Sequence, residues 1–243
     1  MKTEQIDPTS TETLPAEFAE LIGAGREALA AGDLGAARNS FVAATELCPN
    51  EPVSHNNLGA FYMGLGAFAE AETCFEQVSR LIPDHANSLF NLATARFRQE
   101  KFEAAVQSFE QAAALTPDDP EVLNNLGASQ CLVGDNVGAR RNLEAALTLQ
   151  SNFPNAVLNL CDLEYAEARY EAAMDLCKGY LEHNRDMAVL RRLLELLDDQ
   201  ARRTVEQAIP HAETIIAANT QDNAARRHLG RLLEARQALT AVG

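Results

Sequence analysis

The sequence predicts an all-α, right-handed solenoid of stacked helix-turn-helix units, and three observations carry that prediction. The first is a period. Leu58-Gly59, Leu92-Ala93, Leu126-Gly127 and Leu160-Cys161 follow one another every 34 residues, and self-similarity at about 20–50 residues marks an array of repeated supersecondary units. The second is helical spacing inside one unit. His55, Leu58, Gly59 and Tyr62 fall at i, i+3, i+4 and i+7, and Ala71, Phe75 and Val78 at i, i+4 and i+7, so each unit holds two amphipathic helices. The third is punctuation. Gly64-Leu65-Gly66-Ala67-Phe68 suits a tight turn between the two helices, and Ile82-Pro83-Asp84 closes the unit because Pro cannot continue a helix.

Taken in order, residues 1–15 are polar, carry Pro8 and show no periodicity, which predicts a disordered tail. Five hairpins are expected over 16–187. Pro52, Pro120 and Pro154 stand where following helices begin, at a first turn that tolerates a missing N–H. Asp84 is placed to cap the helix after it. Past Ala188 the register slips by about one residue, which predicts a divergent sixth hairpin and a capping helix over 188–243. Its first helix shows the stripe Leu190, Leu193, Leu194 and Leu197. A second is expected from about Thr204 to Ala218, kinked at Pro210, and a last from about Asn223 to Ala238. A final helix with one apolar face and one wet face is what the end of a stack requires.

These residues resemble the tetratricopeptide repeat. Counting Phe18 as position 1, the small residue at position 8 is Gly25, Gly59, Ala93, Gly127 and Cys161 in turn. The Ala at position 20 is Ala37, Ala71, Ala105, Ala139 and Ala173, and the large residue at position 24 is Phe41, Phe75, Phe109, Leu143 and Cys177. Pro49, Pro83 and Pro117 supply position 32. The match weakens towards the C-terminus, where Glu164 replaces Tyr and Arg185 replaces Pro. The resemblance implies a non-catalytic module that binds a peptide or partner helix in its concave groove, as scaffold or adaptor.

One polar feature keeps the same register. Asn57, Asn91, Asn125 and Asn159 share position 6, with Gly23 in the first unit. Equal position implies equal face, so a row of amides is expected, each able to donate to and accept from a peptide backbone. The row is similar to that of the O-linked N-acetylglucosamine transferase superhelix, and equally to the family's general preference for Asn there. Asn56, Asn87, Phe90, Asn124, Leu132 and Leu158 are expected to share the groove, an amphipathic wall suited to a peptide. Met63, Phe97 and Tyr165 are assigned to the space between hairpins.

Composition narrows the chemistry. The net charge is −15, which disfavours a phosphate-backbone partner and favours a basic one. Eight of the 20 basic residues, all Arg, lie beyond Ala188 beside seven acids. Arg on solvated helix faces, paired with nearby acids, is preferred there to a patch for an acidic partner. No apolar run nears the roughly 18 residues of a spanning helix, and the N-terminus does not read as a secretory signal. A cytoplasmic, monomeric protein is expected.

The five cysteines form no Cys-x-x-Cys pair, so reduced thiols are expected, with no metal and no cofactor. Cys161 and Cys177 occupy packing positions, with a redox pair as the alternative. The loose G-x-G-x-x-A matches at Gly64 and Gly23 fall in a helical turn and inside a helix, not after a strand. No hydrolase, phosphate-loop or zinc-protease motif occurs, and the chain is not expected to be an enzyme. The alternatives are a self-associating assembly protein, acting for instance through the C-terminal hairpin, and a regulatory subunit docked on an enzyme such as a transferase.

Overall fold

The computed structural model describes residues 14–218 and 223–241, so the expected tail lies, through residue 13, outside the described residues. Twelve helices occur among those described: α1 (Ala16–Ala30), α2 (Leu34–Leu47), α3 (Pro52–Gly64), α4 (Phe68–Leu81), α5 (Ala86–Arg98), α6 (Phe102–Leu115), α7 (Pro120–Val133), α8 (Asn136–Leu149), α9 (Pro154–Ala166), α10 (Tyr170–Leu181), α11 (Met187–Ala218) and α12 (Asn223–Ala241). They fall into two compact units divided between Val133 and Gly134.

Local chemistry sets the boundaries. Pro52, Pro120 and Pro154 each open a helix. The Asp33 carboxylate accepts from the Ala36 N–H at 2.9 Å, and Asp135 accepts from Gly138 at 3.0 Å. Asp119 accepts from the N–H groups of Glu121 and Val122. Asp84 does not cap. The helix after it starts at Ala86 with His85 at the cap position, one residue beyond the expected site. The turn between paired helices has one demand, met five times at position 15. Gly32, Gly66, Glu100, Gly134 and Ala168 have φ of 79°, 74°, 60°, 82° and 60°. Three of the five are Gly, which enters this left-handed region without a Cβ penalty.

In the first unit, α1–α2, α3–α4 and α5–α6 form hairpins and α7 packs on α6. Phe41, Phe75 and Phe109 are buried at their centres, and Ala37, Ala71 and Ala105 are fully enclosed. Position 8 is small because position 24 lies on it. A Cβ added at Gly25 would stand 2.5 Å from the Phe41 ring, and one at Gly59 2.8 Å from Phe75.

In the second unit, Leu143 and Cys177 take the place of those rings, and Ala139 and Ala173 are fully enclosed. Here the structure corrects the expected sixth hairpin. Met187–Ala218 is one helix of 32 residues with Pro210 inside it, and no turn falls between Leu197 and Thr204. That polar stretch lacks a glycine or proline, and the i, i+4 pairs Asp198–Arg202 and Asp199–Arg203 support it as helix. The hairpin partner of α11 is α12, which returns along it and sets Arg236 4.0 Å from Glu206. Two arginines also bind α11 to the unit's body. Arg192 and Arg203 stack on the Tyr165 ring with their charged carbons 5.1 and 5.3 Å from its centroid, and the Tyr165 hydroxyl donates to Asp199 at 2.8 Å.

Two junctions between hairpins, one in each unit, carry an ion pair at the same positions, 11 in one repeat and 21 in the repeat before. In the first unit Arg96 binds Glu72 at 2.9 Å and Glu76 at 2.8 Å, while Lys101 joins Glu72 at 2.7 Å. Burial works to raise the Glu72 carboxyl. Its bonds to Lys101, Arg96 and Gln99 outweigh that and hold it below the usual carboxylate value. In the second unit the signs are reversed. Glu164, its side chain 6% exposed, binds Arg140 and Arg169, and both arginines also bind Glu167. Glu164 thus departs from the aromatic consensus as part of a closed ionic cluster.

Candidate functional site

The candidate surface is built from the first helix of each hairpin. In the first unit these are α1, α3, α5 and α7; in the second the corresponding helix is α9. The position-6 amides are all half-buried, but their surroundings differ. Asn57 donates to the carbonyl of Val53 at 2.7 Å and accepts from Arg26 Nε at 3.2 Å, so it bridges α3 to α1. Asn125 donates to Glu121 O at 2.9 Å. Both back-bonds turn the NH2 group towards the helix, and in Asn57 the carbonyl end is taken by Arg26. Asn91 lies between them in sequence, on α5, half-buried. Asn159 lies on α9 in the second unit and is already engaged in an interaction.

Position 5 turns inward. Ile22, Asn56, Phe90, Asn124 and Leu158 share it, and none is exposed. Asn124, expected in the groove, is 5% exposed and belongs to the interior. Leu158 packs against the core around Val157, Cys161 and Cys177. Phe90 lies edge-to-face on Phe109 with centroids 5.6 Å apart. The reason is geometric: position 5 follows the core-facing position 4, so its side chain starts beside the seam between hairpins. Positions 2 and 13 are the open ones, with Asn87, Glu121, Arg98 and Leu132 all exposed or half-exposed. Met63, Phe97 and Tyr165 are half-buried against the cores, as assigned.

The structure adds a feature that spacing alone does not show. Ala86, Asn87 and Phe90 of α5 and Val122 and Glu121 of α7 meet the turn residues Thr116 and Asp119 around a cleft of about 70 Å³. Two carboxylates, one amide and an aromatic edge line it. Asp119 escaped the sequence reading because its inter-repeat position carries no periodic signal.

Folding also brings together Cys161 and Cys177. Their sulfurs stand 3.6 Å apart and both residues are buried. The Cys177 thiol donates to Cys161, which lowers the Cys161 thiol below its ordinary value and pushes Cys177 up, and the Arg192 guanidinium favours the Cys161 thiolate. Among the described residues no group of three or more His, Cys, Asp or Glu side chains is arranged to hold a metal ion. Nor is any described helix long and apolar enough to cross a membrane.

The sequence model of the tetratricopeptide repeat family matches residues 51–118, which span α3 to the turn before α7 and hold most of the cleft. The chain carries tetratricopeptide repeats. Among solved structures, a tetratricopeptide repeat protein from Parabacteroides merdae is similar at a TM-score of 0.69, with 17% identity over 91% of this chain and 99% of that one. PilF of Pseudomonas aeruginosa is similar at 0.63 and 19% identity, over 93% of this chain and 98% of its own. YrrB, described as a TPR protein with an unusual peptide-binding site, is similar at 0.62 and 18% identity, over 70% of this chain and 87% of its own. At these identities the likeness speaks for the tetratricopeptide fold. No curated protein matches the chain.

Proposed function

We propose that the protein is a protein-interaction module, acting as scaffold or adaptor, that holds a peptide or partner helix on the first-helix face of its first unit. The observation that carries this reading is the cleft between α5 and α7. There an amide, an aromatic edge and two carboxylates converge on a surface whose neighbours Asn91 and Asn125 are half-exposed amides. Asn91 and Asn125 supply main-chain hydrogen bonds, Phe90 and the exposed Leu132 supply apolar area, and Asp119 with Glu121 select a basic side chain. A net charge of −15 speeds the approach of such a partner.

Asn57 and Asn159 contribute less, since Asn57 is engaged with Arg26 and Asn159 lies in the second unit. The test is an array of extended peptides with randomised positions, probed with wild type and with the Asn91→Ala/Asn125→Ala variant. Wild type is expected to enrich peptides with one Arg or Lys anchor, and the variant to lose at least about tenfold in affinity, equivalent to about 1.4 kcal/mol, at unchanged helicity. Equal binding by both proteins removes the amides from the site. Indifference to charge removes the cleft.

A further inference from the structure

The second unit leaves part of its longest helix without a seat. α11 has 32 residues and α12 has 19, or about 48 Å against about 28 Å of helix. α12 runs back along α11 from Asn223, with Arg236 beside Glu206 and Ile209 and Ala212 buried in the covered half. At that register its last residue, Ala241, reaches no further than about Ala201. From there to Met187 the same side of α11 continues bare. Met187 is 72% exposed, Leu194 58%, Leu197 39% and Leu190 37%. Their spacing of three, four and three residues makes one apolar stripe. It points away from the buried flank of Val189 and Leu196 that holds α11 on the body of the unit. Single exposed leucines are ordinary, whereas a continuous stripe at the end of a packed seat marks an interface.

We infer that this stripe is a homodimer interface on which α11 of a second copy lies antiparallel. The stripe is self-complementary. A two-fold axis through Leu194 sets Leu190 beside Leu197 of the second copy and Met187 beside its Ala201. Arg191 and Asp198, which flank the stripe on one side, lie three residues before and four after that axis. The two-fold therefore brings each Arg191 to within about 1.5 Å of rise of the other copy's Asp198, and the charges match twice over. The second copy's α11 begins opposite Ala201, where α12 stops, so the two do not compete. The matched stretch is only about 21 Å long, which makes this a weak, concentration-dependent pair.

The experiment is light scattering of the full chain from about 1 to about 300 µM, the range in which such a pair dissociates. Wild type is expected to pass from monomer to dimer across it, and Leu194→Glu to stay monomeric with an unchanged circular dichroism spectrum. Arg191→Asp and Asp198→Arg each weaken the dimer by about tenfold by setting like charges together, and the double variant restores it. A wild type that is monomeric throughout overturns the inference. So does a dimer that persists in Leu194→Glu, or a double variant no stronger than the singles. None of these substitutions touches the cleft of the first unit, so peptide binding reads out separately.

Discussion

The most consequential residues outside the candidate site are the ions between hairpins. Glu164 is nearly enclosed between Arg140 and Arg169, so reversing one charge of the cluster sets like charges together in a poorly solvated site, at a cost of about 3 kcal/mol. The mirrored arrangement of Arg96 and Glu72 gives a sharper expectation than simple removal. Arg140→Glu or Glu164→Arg alone should destabilise by about 3 kcal/mol in urea titrations, whereas the two together should recover at least half of it. The swapped pair reproduces the polarity already present in the first unit, and it leaves Arg169 free to bind the introduced carboxylate as Lys101 binds Glu72. An additive double variant would show that the cluster is not coupled. At this scale the sequence was informative where size decides and silent where charge decides. Phe41, Phe75 and Phe109 announced their burial through their period. Asn124 looked like a surface amide because polarity alone does not reveal that position 5 faces a seam.

Among the elements, the turns show most clearly what the chain demands of its residues. Position 15 adopts positive φ in all five repeats, yet two of them place Glu100 and Ala168 there. An L-residue in this region is disfavoured by about 1–2 kcal/mol, partly offset by the greater freedom that Gly has when unfolded. Glu100→Gly should therefore stabilise the protein by about 0.5–1 kcal/mol, seen as a higher urea midpoint at constant m-value, and Gly66→Ala should move it the other way. Helix starts were readable at Pro52, Pro120 and Pro154, where the residue itself fixes φ. The continuity of α11 was not, since a polar run without Gly or Pro reads alike as a linker or as a helix held by Asp198–Arg202 and Asp199–Arg203.

Across the whole molecule, stability is local and additive, as stacking without a single core requires. Phe109→Ala should cost about 3–5 kcal/mol. In hydrogen exchange its effect should centre on α5, α6 and α7, which surround that ring, and leave α9 to α11 close to wild type. Uniform loss of protection across both units would contradict this. The period made this architecture visible in the sequence, because any stack of equal hairpins must repeat its contacts.

Equality of shape also creates a hazard for such a chain, and the junction ions answer it. Hairpins leaving the ribosome one after another carry nearly the same backbone and the same rings, so shape alone lets any of them dock on any other. Arg96 offered to Arg140, or Glu164 to Glu72, would bury like charges. These two junctions thus carry an address written in sign, and a hairpin copied from either would have to bring its neighbour's half of the address along with it.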